Sequence, residues 1–257
     1  MIWAIVAVSL LFSACNWAKD SGVGGNGVEG NGVVVEKSFD IIDVSQIKLD
    51  VPAEVTYTVA DVPSMTVRLD ENLMQYLTVS PDKRYLGLLT IESTQPLQNF
   101  KEFTIVLSTT SLTFLDCSHA RSFKMKGTYG NKFGATEMIV NGVEDVDVER
   151  VEAGSFHLRV NGPGNVTIHS VKTPHLDLSV NAPGVFGRRG KVNPIRVSLA
   201  GEAERVEVKL SGPGEVDIAN MDYKLLDKKV VGPGSVTTGD KPSYKSEPVS
   251  PYMPPIG

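Results

Sequence analysis

The chain has 257 residues, 41% of them apolar, enough to build one large β domain or two small ones. Its formal charge of −5 has both signs interspersed, which excludes the basic footprint of a nucleic-acid binder. Aromatics make up only 7%, while 24 glycines and 15 prolines recur at intervals, as many short strands separated by turns require.

In chain order, Ile2 to Phe12 is an uncharged apolar run. It is too short to span a bilayer, which takes about 20 helical residues, and has the length of the apolar part of a secretory signal. It ends in Leu11-Phe12-Ser13-Ala14-Cys15, which resembles a bacterial lipobox, with Phe12 where that motif prefers Leu, Val or Ile. Residues 1–15 are therefore expected to be a lipoprotein signal peptide, with Cys15 the lipidated residue; a generic secretory signal is the alternative. No basic residue precedes the run, as would follow if the chain starts further upstream. Asn16 and the Lys19-Asp20 pair tip the expected location to the outer membrane, on its periplasmic or its external face. With Cys15 acylated, Cys117 is an unpaired thiol.

Residues 16–32 read as a Gly-rich tether holding a domain off the membrane. They contain G-x-G-x-x-G at Gly22, Gly24 and Gly27, but a dinucleotide site needs a strand before and a helix after. Here Val33-Val34-Val35, a strand, follows.

Residues 33–108 read as an N-terminal β region. Ile47 to Val51, Val55 to Val59 and Met65 to Leu69 alternate apolar and polar, and Leu88 to Ile91 and Phe103 to Leu107 are further strands. Asp70 to Leu77 is the one helical candidate, with Asp70 as its cap and Leu73, Met74 and Leu77 facing inward. This order is a Gly-rich lead, Phe39-Asp40-Ile41-Ile42-Asp43-Val44, a strand pair, then Asp70-Glu71-Asn72-Leu73 entering a short helix, with Gly-containing repeats beyond. It resembles the GIN-domain family of autotransporter-adhesin heads, common on lipoproteins of Bacteroidetes-type bacteria. The family's repeat is usually Ser-Gly-Ser-Gly, where this chain has Asn-Gly-Pro-Gly or Ser-Gly-Pro-Gly. The resemblance implies a right-handed parallel β-helix and a surface, adhesive role, and brings no catalytic residues.

Residues 109–240 carry the repeat. Val140-Asn141-Gly142, Val160-Asn161-Gly162-Pro163-Gly164 and Val180-Asn181-Ala182-Pro183-Gly184 are spaced by twenty residues. So are Leu210-Ser211-Gly212-Pro213-Gly214 and Val231-Gly232-Pro233-Gly234. A fixed period of this length marks a stacked coil. Its apolar columns read Val140, Val160, Val180, Leu199, Leu210 and Val230; then Met138, Leu158, Leu178, Val197 and Val208. Others join Phe156, Leu176, Ile195 and Val206, or Val146, Val166, Phe186, Val216 and Val236. At Gly162-Pro163-Gly164 a type II turn places Pro second and Gly third, at positive φ. Asn141, Asn161 and Asn181 stack as an amide ladder or line a ligand groove. Between Gly201 and Gly212 the period falls to eleven, which predicts a shortened, indented coil, and Lys228 in a core column marks a terminal cap. Residues 241–257, with five prolines, read as a disordered tail.

The fold class expected is thus all-β: a right-handed parallel β-helix of ~20-residue turns after a short-stranded β region with one short helix. Arg188 stands in a column whose other members are Val148, Ile168 and Ile218, with Arg189 beside it, and the two are the candidate contacts for an anionic glycan. Glu144, Asp145, Asp147 and Glu149 form an acidic strip that would suit Ca²⁺, but alternation already makes it a solvated face. His119, His157, His169 and His175 have no metal spacing, and Cys117 next to His119 in sequence does not establish a nucleophile. No catalytic residue, metal or cofactor is expected. The leading function is a non-catalytic envelope lipoprotein, an adhesin or display module with a glycan or protein ligand at the cell surface. A polysaccharide-active lyase or hydrolase is the alternative, needing Glu144, Asp147 and Arg188 or Arg189 to converge. A self-associating scaffold with open coil ends is the third.

Overall fold

A computed structural model of the protein describes residues 27–81, 87–182 and 195–239. The signal segment with Cys15, Arg188, Arg189, Phe186 and the Pro-rich tail lie outside the described residues.

The chain opens with β1 (Val28–Glu29), β2 (Val34–Phe39), β3 (Gln46–Asp50), β4 (Glu54–Val59) and β5 (Ser64–Asp70). A 3-10 helix over Glu71–Tyr76 follows. Then come β6 (Leu77–Pro81), β7 (Leu88–Ser93), β8 (Leu97–Gln98) and β9 (Phe103–Thr109). The repeats supply β10 (Phe114–Ser118), β11 (Ser122–Tyr129), β12 (Ala135–Asn141), β13 (Asp145–Glu152) and β14 (Ser155–Asn161). Three long strands, β15 (Gly164–Asn181), β16 (Ile195–Ser211) and β17 (Gly214–Val231), lead to β18 (Ser235–Thr238). The alternation read from sequence is what buries them: β12 reads buried at Thr136, Met138 and Val140, and exposed or half-buried between.

One sheet contains all but β1 and β8. From β10 onward every pair is parallel, with Val140 beside Val160 and Val160 beside Val180. The columns also extend backward: Leu49 in β3 lies beside Cys117, and Cys117 beside Val140. Elsewhere orientation changes. β2 with β5, β5 with β9, and β6 with β7 are antiparallel. The expectation of a uniform parallel helix is therefore too fine. Among the described residues the chain is all-β with one short helix, and its mixed sheet doubles back through β15 to wrap, nearly closed and barrel-like, around one core.

Core packing, not surface charge, holds this wrap. Val140, Val160, Val180 and Leu210 are each at most 2% exposed, and each such side chain contributes roughly 1.5–3 kcal/mol on burial. The exposed ion pairs, such as Lys224 with Glu204, contribute about 0–1 kcal/mol each.

The register corrects the sequence reading in three places. Val197 pairs with Val166 and Leu199 with Ile168, so neither belongs to the columns of Leu178 or Val180. Ile195 pairs with Gly164 rather than joining Leu176. Asn181 pairs with Ser211, 30 residues on, while Asn161 pairs with Asn181, 20 residues on. The coil is therefore not shortened after Gly201; the spacing is lengthened, and the extra residues fall between Ala182 and Ile195. Gly201 belongs to a different corner. It pairs with Val171 at φ +126°, and a Cβ there would stand 2.1 Å from the Val171 carbonyl oxygen. In the Gly-Pro-Gly turn, Gly162 as well as Gly164 takes positive φ, so a single type II turn is not the whole geometry.

The N-terminal lead is also more firmly held than a tether to Gly32 implies. β1 pairs with β8, and the Val28 and Gly30 N–H groups donate to the carbonyls of Pro96 and Gln98. Asp70 does not cap its helix. Its buried carboxylate accepts instead from the N–H of Gly32 at 2.7 Å and of Lys101 at 3.0 Å. Leu73 is buried as expected, while Met74 and Leu77 are half-buried.

Because Asp70 alone satisfies two backbone donors from distant segments, Asp70→Ala leaves both unpaired. The loss expected is roughly 2–3 kcal/mol in urea unfolding. A loss under about 0.5 kcal/mol, the size of a neutral surface change, would contradict the role.

Candidate functional site

The expected asparagine ladder forms in part. Asn161 Nδ2 donates to Asn141 Oδ1 at 2.8 Å, and Asn141 Nδ2 donates to Asp116 Oδ1 at 3.2 Å and to Ser118 Oγ at 3.1 Å. Asn181 is next in register and exposed. Burial pushes the Asp116 carboxyl above the ordinary range, against the pull of Ser118, Lys48 and Asn141. The amide hydrogen bonds at Asn141 and Asn161 are thus spent on one another and on the fold, which favours the ladder over a ligand groove.

The acidic strip is likewise engaged locally. Asp147 Oδ1 lies 2.9 Å from His169 Nε2, and Glu149 accepts from the Gly127 N–H at 2.9 Å. Among the described residues no group of three or more metal-ligating side chains converges. Arg188 and Arg189 lie outside them, so the convergence an enzyme would need is not on view.

Each histidine faces a carboxylate on a neighbouring strand. His119 Nδ1 is 2.7 Å from Asp50, His157 is 3.8 Å from Asp177, and His175 is 3.7 Å from Glu207. Hydrogen bonding to Asp50 raises the His119 pKa, and the same bond lowers that of Asp50. Cys117 is fully buried, and burial together with Asp116 and Asp50 pushes its thiol far up. That is opposite to what a nucleophile requires.

A groove lies elsewhere, at the corner where β15, β16 and β17 bend. It measures about 560 Å³. Thr173, Ala203 and Tyr223 follow one another in register, with Ala153 on the near side, and form its floor. Small residues at successive rungs leave the hollow, and the half-buried Tyr223 ring closes one end. One rim is the file Glu152, Lys172, Glu202 and Asp222; the other is Pro174, Glu204 and Lys224. Lys172 pairs with Glu202 at 2.9 Å and Lys224 with Glu204 at 2.8 Å; the first bond raises the Lys172 pKa and the second lowers that of Glu204. Beside the groove Phe133 is 85% exposed, with Lys132 Nζ 4.8 Å from its ring centre. Sequence reasoning singled out neither Phe133, which lies between repeats, nor Tyr223. Aligning small residues at the period would have marked Thr173, but the longer spacing before Ala203 hides the rest.

The described residues thus form an all-β wrap with a surface groove at one corner and a buried thiol. Residues 43–246 match the model of a family described as "Putative auto-transporter adhesin, head GIN domain", and the chain belongs to that family. The structure is similar to a putative adhesin from Bacteroides fragilis, with a TM-score of 0.53 and 11% identity over 82% of this chain and 100% of that one. It also aligns with a putative adhesin from Parabacteroides merdae, at a TM-score of 0.45 and 16% identity over 82% and 98%. A putative lipid binding protein from Parabacteroides distasonis aligns at 0.49 and 15%, over 82% and 98%. At such identities the likeness concerns the fold alone. No curated protein matches the chain. No helix among the described residues is long and apolar enough to cross a membrane.

The Asp50–His119 pair carries a pH signature. His119, raised, adds stability that is complete below about pH 6.5 and is lost as pH rises through its folded pKa. Asp50, lowered, adds stability that is complete above about pH 3.9 and is lost as pH falls through its folded pKa. The melting-temperature difference between wild type and His119→Gln should therefore peak near pH 5 and shrink toward pH 9. A difference that grows from pH 5 to pH 9 would contradict the pairing.

Proposed function

We propose that the chain is a lipid-anchored, outer-membrane binding module of the adhesin type, without a catalytic role. Family membership supports the adhesive class. The observation that carries the reading is the corner groove, the one place where apolar floor, aromatic ring and paired charges meet on the outside of the wrap among the described residues. The parallel coils from β10 onward, stacked in register behind it, support a right-handed parallel β-helix as the scaffold. Cys15 is the proposed anchor. Since the body begins by β1, residues 16–26 are the spacer, which reaches at most about 40 Å. The groove is thereby presented from a short leash, on the external or periplasmic face.

The test uses cells producing the chain. Labelled palmitate should enter the wild-type chain and not Cys15→Ala. Cells displaying the wild type should be retained on at least one of collagen-, fibronectin- or oligosaccharide-coated surfaces, and cells lacking the chain should not. Equal retention of both, or label entering Cys15→Ala, would sink the reading.

Self-association has its own supporting observation. The second half of β17, from Leu225 to Val231, pairs only with β16 among the described residues. It exposes Leu225, Val230 and Val231 by 39%, 40% and 54%. An unpaired strand edge of this kind templates a second chain, although Lys224, Lys228 and Lys229 there oppose it. Sedimentation of the purified chain should show a larger species that Val231→Lys abolishes. A single monomer boundary at every concentration would exclude pairing at this edge.

A further inference from the structure

Proceeding from the reading of the chain as a binding module, the groove narrows the ligand. Ala153, Thr173, Ala203 and Tyr223 stand one strand apart, so three steps of ~4.8 Å make a floor about 14 Å long. The floor offers little polarity: the Thr173 hydroxyl is already donated to the His175 carbonyl at 3.1 Å. At one end Tyr223 presents an amphipathic ring. Around the groove three lysines, Lys132 with the two on the rims, stand against four carboxylates, so neither an anion nor a cation finds a matching field. A neutral ligand rich in hydroxyls finds a donor and an acceptor at successive rungs. The Lys172–Glu202 and Lys224–Glu204 pairs are more than half exposed, and such pairs hold by only about 0–1 kcal/mol, so hydroxyls can exchange into them at small cost.

Other ligands fit less well. A peptide adding to a sheet needs an unpaired strand edge. Thr173 and Ala203 lie on strands whose neighbours already take their backbone bonds on this corner, and the open edge of β17 at the Tyr223 end would seat a peptide beyond the floor, not along it. An acyl chain would need apolar walls where both rims carry charge. We propose that this groove binds a neutral oligosaccharide of a few sugar residues, laid along the floor with one ring against Tyr223.

The test measures binding of the purified chain to neutral hexasaccharides of glucose, mannose, galactose and xylose, with a hexuronate as the charged comparator. At least one neutral probe should bind, and bind more tightly than the hexuronate. Tyr223→Ala should weaken it by roughly tenfold or more. Glu204→Gln keeps the side chain's shape on an exposed rim and should weaken it by a similar factor with its melting temperature unchanged, which separates ligand contact from folding. Binding of no neutral probe, tighter binding of the hexuronate, or binding unaltered by Glu204→Gln would overturn the assignment. If collagen or fibronectin surfaces still retain the displaying cells, only the sugar assignment falls. If no coated surface retains them either, the binding-module reading falls with it.

Discussion

A parallel strand cannot stand alone. Its N–H and C=O groups point sideways to neighbours one coil away, and its inward side chains need the opposite face of the same coil as their other wall. Everything here depends on that mutual support in register. Val160 rests between Val140 and Val180, and Val166 between Val146 and Val197. Where coils press closest, only glycine fits. A Cβ on Gly164 would stand 1.9 Å from the Val143 carbonyl oxygen. The glycines of the repeat are therefore contacts between coils as much as turns within them.

Much of this was legible in sequence because the period is a physical repeat. The columns through Met138, Leu158 and Leu178, and through Val146 and Val166, stand as read. The reading failed where one glycine imitated another. Ala200-Gly201 looked like a copy of Val140-Asn141-Gly142 displaced in phase. Gly201 in fact meets Val171 at another corner, and the true counterpart of Asn181-Ala182 is Ser211-Gly212. Asp70 failed differently: an acidic residue before a helix reads as a cap, but its partners at Gly32 and Lys101 are 38 and 31 residues away, beyond any local rule.

The groove was least legible of all. Ala153, Thr173 and Ala203 are unremarkable until the register sets them side by side, and Thr173 and Ala203 are 30 residues apart instead of 20. The region after Gly201, singled out from sequence, follows one lengthened spacing. The corner that it brings into register is the one holding the groove. Fold and candidate site thus rest on the same alignment of β15 with β16.

That alignment is directly measurable. Ser179 and Lys209 are register partners on adjacent strands and face outward, and neighbouring strands run about 4.8 Å apart, within disulfide reach. Ser179→Cys with Lys209→Cys should form a bond on mild oxidation, identified by mass spectrometry of the joined peptides. Ser179→Cys with Ser198→Cys, the pair implied by a coil shortened after Gly201, should not. A bond in the second pair and none in the first would contradict the register on which both the fold and the groove depend.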